Sequence, residues 1–110
     1  LNPMDSIYVA VTRKDYSGFP SGGWFPEQRL SLDQAVYSYT MESAYASFED
    51  EIKGSIEVGK LADFVVLSDD LYTIIPDNIR NIVVEMTVMD PQWELLIKVQ
   101  LVMYVIHLLL

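Results

Sequence analysis

The sequence contains no cysteine and one histidine among its 110 residues. Without thiols there is no disulfide, no thiolate metal site and no cysteine nucleophile, and such a chain suits a reducing cytoplasm, the location expected here. Ser-His-Asp catalysis is excluded as well: no G-x-S-x-G elbow exists, and the single imidazole, His107, sits in a distant apolar run. Basic residues are scarce, seven Lys and Arg against sixteen Asp and Glu for a net charge of −9. They are scattered rather than clustered, so no nucleic-acid partner is expected, because a phosphate backbone needs a basic face. No basic stretch leads into an apolar run, so no secretory signal is seen, and a start at Leu1 rather than Met places the expected true start upstream. Glycine and proline number only five each, while 51% of residues are hydrophobic and 12% aromatic, a globular and not a disordered composition. The length allows one compact core, or a piece of a larger one.

Asn2-Pro3 opens a helix, since Asn accepts bonds from free N–H groups and Pro at the first helical position has none to leave unpaired. Met4, Ile7, Tyr8 and Val11 continue at helical spacing, which predicts an amphipathic helix from about Pro3 to Lys14. The run from Asp15 to Leu30 holds three of the five glycines and two of the five prolines, with Phe19, Trp24 and Phe25 between them, and reads as a long structured loop. Its aromatics either line a pocket or pin the loop down, and burial for packing is the commoner fate of such side chains. Ser31-Leu32-Asp33-Gln34 is a capping box that starts a second helix, with Leu32, Ala35, Val36, Tyr39 and Met41 on one face and a turn near Glu42-Ser43 leading to a further short helix through Phe48. Leu61 to Leu67 reads as a strand covered on both faces, Pro76 to Arg80 as one helical turn, and Ile82 to Met89 as a second strand with Val84, Met86 and Val88 on one face.

The stretch from Lys53 to Leu67, Lys-Gly-Ser-Ile-Glu-Val-Gly-Lys-Leu-Ala-Asp-Phe-Val-Val-Leu, resembles the G-x-I-x-x-G-K-x-A-D-x-x-x-L signature near the end of amidohydrolase-superfamily enzymes. Leu1-Asn2-Pro3-Met4, Ala10-Val11-Thr12-Arg13, Pro26 to Leu32, Ala35, Tyr39-Thr40 and Ala44-Tyr45-Ala46 are similar to the amidohydrolase 3 branch. The resemblance implies an α+β chain in three parts. Residues 1–50 would be the end of a β/α (TIM-type) barrel, 51–90 part of a small β-sandwich domain, and 91–110 a divergent apolar tail. It also implies a hydrolase acting on carbon–nitrogen bonds of a small-molecule substrate, with a divalent metal, zinc by expectation, in the complete enzyme. Gly54 and Gly59 permit turn geometry, and Asp63 is expected to bond neighbouring backbone at the strand entrance. Lys60 and Asp63 read as a surface ion pair rather than as catalytic groups.

The chemistry itself is missing. The family places metal with a His-x-His pair, two later histidines and an Asp, and none of these is assigned in this sequence. A hydrolytic centre needs several imidazole or carboxylate ligands converging on one point. No catalytic, cofactor-binding or metal-binding residue is therefore named, and this chain is expected to be inactive without the barrel domain as its partner. His107 reads as a packed or tail residue. Glu49-Asp50-Glu51 and Asp69-Asp70 lack the alternating spacing and Gly of a calcium loop and read as solvated turns. A pocket-edge role is left open for Gly22-Gly23-Trp24.

Relatives usually continue the last strand into a Gly-Gly-Lys hairpin, whereas here Pro91 precedes an 18-residue run from Trp93 to Leu110 interrupted by Glu94, Lys98, Gln100 and His107. That is short for a membrane span of about 20 largely uncharged residues, so a membrane partner is not the expected reading. The rival to the hydrolase reading is a non-catalytic interaction or membrane-associated module, whose exposed apolar faces would promote association, including into a homo-oligomer.

Overall fold

The structure, a computed structural model, describes residues 2–89. Asn2 caps helix α1 (Pro3–Thr12), its side-chain oxygen accepting from the Met4 N–H at 3.1 Å. The helix stops at Thr12, short of the expected Lys14, because Arg13 adopts a left-handed φ of 57°. Two contacts across the loop hold that conformation: the Trp24 N–H donates to the Arg13 carbonyl at 2.8 Å, and Arg13 Nε donates to the Trp24 carbonyl at 2.9 Å. Tertiary bonds thus end a helix that its local sequence would extend.

The capping box forms as expected at α2 (Leu32–Tyr37): the Gln34 N–H donates to Ser31 Oγ at 3.1 Å, and the Ser31 N–H donates to Gln34 Oε1 at 2.9 Å. The expected turn near Glu42-Ser43 is instead a continuous helical path. It widens into a π turn over Ser38–Glu42 and re-tightens as α3 (Ser43–Ala46). The hydroxyls explain the widening: Thr40 Oγ1 donates to the Val36 carbonyl at 2.9 Å and Ser43 Oγ to the Ser38 carbonyl at 2.7 Å, competing with the regular ladder. The helix ends in a Schellman motif, with the Glu49 N–H on the Ala44 carbonyl and the Phe48 N–H on the Tyr45 carbonyl, both at 2.9 Å. Phe48 occupies the left-handed position, φ 60°, that glycine usually fills.

Strands β1 (Phe64–Leu67) and β2 (Val84–Val88) form an antiparallel pair in which Phe64 faces Val88 and Val66 faces Met86, with a bulge between Val66 and Leu67. Both are shorter than expected. The Leu61 N–H turns to the Ile52 carbonyl at 2.8 Å, and the Ile82 N–H closes the 3-10 helix Pro76–Asn81 by bonding the Ile79 carbonyl at 3.1 Å. β1 is covered on one face only: Val65 and Leu67 are buried, whereas Phe64 and Val66 are half-buried. The β2 face that carries Val84, Met86 and Val88 is covered only in part: Val84 packs half-buried against the core, while Met86 is exposed.

One core unites these pieces. Met4, Ile7 and Tyr8 of α1 are fully buried and cluster with Ala35, Val65, Leu67, Leu71, Ile79 and Ile82. Each such side chain contributes on the order of 1.5–3 kcal/mol by leaving water, so the stripe of α1 is the largest single local source of burial energy. The cluster joins residues on both sides of position 50, and the described residues make an α+β arrangement of three α-helices and two strands. The turn expected at Pro91, the apolar tail and His107 lie outside the described residues.

Two substitutions should shift stability in opposite directions. Gly54 has φ +97°, and an added Cβ would sit 2.9 Å from the Ala44 Cβ and 3.1 Å from the Met41 sulfur, so Gly54→Ala should destabilise by about 1–3 kcal/mol. Phe48 is 93% exposed, so Phe48→Gly gives up little burial and should stabilise by about 1 kcal/mol. Urea unfolding followed by circular dichroism would read both; equal signs would show that left-handed geometry does not set these positions.

Candidate functional site

Three regions hold candidate functional residues, two of them weighed from the sequence and one not. The first is the loop after α1. The Asp15 carboxylate accepts from the Ser17 hydroxyl at 2.6 Å, the Ser17 N–H at 2.8 Å and the Phe19 N–H at 3.0 Å. These bonds, the Ser17 hydroxyl foremost and the Phe19 N–H next, hold its carboxyl below the usual carboxylate range. Gly23 lies so close to α1 that a Cβ would meet the Thr12 carbonyl oxygen at 2.4 Å, and Arg29 donates to the Gly22 carbonyl. The aromatics do not pin the loop by burial: Phe19, Trp24 and Phe25 are all exposed, Trp24 meeting Phe25 edge-on with Arg13 5.3 Å from its ring centroid. Hydrogen bonds to loop carbonyls do the holding, which composition could not reveal.

The second region is the glycine-bracketed signature. Lys60 does not pair with Asp63; its ammonium donates to the Asp50 carbonyl at 2.6 Å and lies 3.2 Å from Glu57. Its stem is largely buried, so Lys60 ties the start of the segment to its end. The Ser55 hydroxyl, followed by Lys60, keeps the Glu57 carboxyl low. Asp63 is half-buried and makes none of the expected backbone bonds among the described residues. The acidic pairs behave as turns: Glu49 is held low by Lys53 first and by the Ser47 hydroxyl, Asp69 accepts from Ser68, and Asp70 Oδ1 accepts from the Tyr72 N–H at 2.9 Å.

The third is a shallow groove along α2 and the π turn, about 390 Å³, lined by Leu30, Asp33, Gln34, Tyr37, Ser38 and Glu42. Sequence reasoning passed over it, and the only signal for it was the unusual hydroxyl density between Ser38 and Ser43. At its rim the Tyr72 hydroxyl donates to Asp33 at 2.8 Å. Partial burial of the hydroxyl, with the bond to Asp33 and the charges of Asp33 and Asp70, pushes Tyr72 up to about 12. Ser38 donates to Glu42 at 2.6 Å, a hydroxyl–carboxylate bond with no imidazole beside it to act as the usual base for a serine nucleophile. Among the described residues no three His, Cys, Asp or Glu side chains come together to hold a metal ion, and no helix is long and apolar enough to cross a membrane.

Comparison with known proteins places this geometry in context. Residues 1–92 match the Amidohydrolase family. The chain is 41% identical over 68 residues to Protein LONG AFTER FAR-RED 3 of Arabidopsis thaliana, covering 62% of this chain and 11% of that protein. It is 32% identical over 89 residues to an N-substituted formamide deformylase of Arthrobacter pascens, covering 81% and 16%. It is 42% identical over 48 residues to an imidazolonepropionase of Bacteroides thetaiotaomicron, covering 44% and 12%. The chain therefore spans less than a fifth of the length of these relatives. No solved structure matches.

The Tyr72–Asp33 bond gives a pH signature. A tyrosine whose folded pKa is raised above its ordinary 10.0 adds stability that is complete below pH 10 and lost as pH climbs to about 12. Spectrophotometric titration at 295 nm should show a tyrosine step near pH 12, and Tyr72→Phe should remove that step. An unchanged titration in the variant would refute the assignment.

Proposed function

Since this chain belongs to the amidohydrolase family, we propose that it is the C-terminal scaffold portion of a metal-dependent hydrolase that cleaves non-peptide carbon–nitrogen bonds of small molecules, a metal-activated water being the nucleophile of the complete enzyme. The observation that carries the scaffold role is the lack of any ligand cluster among the described residues, in a sequence with one histidine. The divalent metal implied for the complete enzyme, zinc by expectation, finds no fitting site among these residues, so no catalytic step is assigned to them. The names of two relatives, a formamide deformylase and an imidazolonepropionase, favour carbon–nitrogen bond hydrolysis.

In this reading residues 1–50 end the barrel and 51–90 belong to the small β-sandwich domain. Barrel helices start at the catalytic mouth and run away from it. α1 would then present its Asn2 end to the mouth and the loop after Arg13 to the opposite face, which favours a supporting role for Gly22-Gly23-Trp24 over a pocket-edge one. The apolar surface left open, Tyr45 and Phe48 on the helical side and Val58 beside the signature, suits contact with the rest of such an enzyme. The same surface favours a second reading, a non-catalytic interaction module that self-associates.

Two measurements on the purified 110-residue chain separate these. Elemental analysis should find well under one equivalent of bound divalent metal, and incubation with N-substituted formamides should give no turnover above background. Stoichiometric tightly held metal or enzyme-like turnover would overturn the scaffold role, while a concentration-dependent oligomer in sedimentation would favour the interaction module.

A further inference from the structure

Arg80 of the 3-10 helix Pro76–Asn81 reaches across 64 positions to donate to the Tyr16 carbonyl at 2.5 Å, while its guanidinium lies 5.3 Å from the centroid of the Tyr8 ring. Tyr8, fully buried in α1, donates its hydroxyl to the Asp15 carbonyl at 3.2 Å. These contacts form a closed circuit: helix α1 to the loop, the loop to Arg80, and Arg80 back to the face of the α1 tyrosine. Beside it, Lys14 meets Asp77 at 2.7 Å. Ile79, the neighbour of Arg80, is buried in the core with Ile7 and Met4, so the 3-10 helix cannot rock away from α1 without breaking both the circuit and the packing.

We propose that Arg80 is a latch that makes the loop from Arg13 to Trp24 and the docking of α1 on the 3-10 helix one two-state element, so that they open together. Only an arginine serves, because a flat guanidinium can cover a ring and donate in its own plane at once, whereas an ammonium is a point donor. The consequence for the complete enzyme rests on the family reading above: the last barrel helix and the segment packed on it would move as a single body. The latch itself concerns this chain alone and is read without substrate or metal, so its failure and the failure of the hydrolase reading are distinguishable.

Native-state hydrogen exchange by mass spectrometry on the full chain tests it. In the unaltered chain, peptides covering 13–24 and 76–82 should be protected to the same degree and open with a common dependence on denaturant. Arg80→Ala should raise exchange at least tenfold in both peptides while the 64–67 and 84–88 peptides stay within twofold. Arg80→Lys should also raise both, and Asp77→Asn, which removes an exposed pair, should change neither. Should Arg80→Ala fail to fold by circular dichroism, Arg80→Lys decides. Faster exchange in one segment alone, or in neither, overturns the proposal.

Discussion

The constraint on which the rest of this structure depends is the burial of one helical stripe. Met4, Ile7 and Tyr8 carry no accessible surface, and they share one core with residues from far along the chain: Ala35, Val65, Leu67, Leu71, Ile79 and Ile82. A 10-residue helix is marginal in water by itself, and a two-stranded ribbon is no better. The helix is stable here because the 3-10 helix and α2 pack on it, and the ribbon is stable because it joins the same core. The 3-10 helix between the strands is set where Ile79 can enter that core, and the loop after α1 takes its shape from the position of the helix end.

Within this frame the glycine-rich signature has a structural meaning. Gly54 lets the backbone press against Ala44 and Met41 of the helical segment, and Lys60 closes the same stretch onto the Asp50 carbonyl. These contacts fix the approach of the chain to β1. The residues that carry the family resemblance are thus packing and turn residues. A hydrolase needs such parts to hold its reacting groups in register, and their number says nothing about which bond is cleaved.

Local signals were legible and long-range ones were not. The Asn2-Pro3 start and the Ser31-Gln34 capping box appear as the sequence implies, because each is settled within four residues. The helical stripe of α1 was equally plain from its spacing. The left-handed Arg13, the exposed Trp24 and the bond from Arg80 to Tyr16 had no local trace, since each depends on groups eleven or more positions away. The strands ended early for a nearer reason: Leu61 and Ile82 have strand-like composition, but their N–H groups are taken by Ile52 and Ile79, in turns that side-chain pattern alone does not show. The groove beside Tyr37 was missed because its one signal, a cluster of hydroxyls of which Thr40 and Ser43 bond back along the helix, is weak in sequence.

The shared core is best tested by methyl and aromatic nuclear Overhauser contacts in the 110-residue chain. Burial of α1 against the later segment predicts cross-peaks from Met4, Ile7 and Tyr8 to Val65, Leu67 and Ile79. Helical shifts for residues 3–12 without any such cross-peak, or random-coil shifts there, would contradict it.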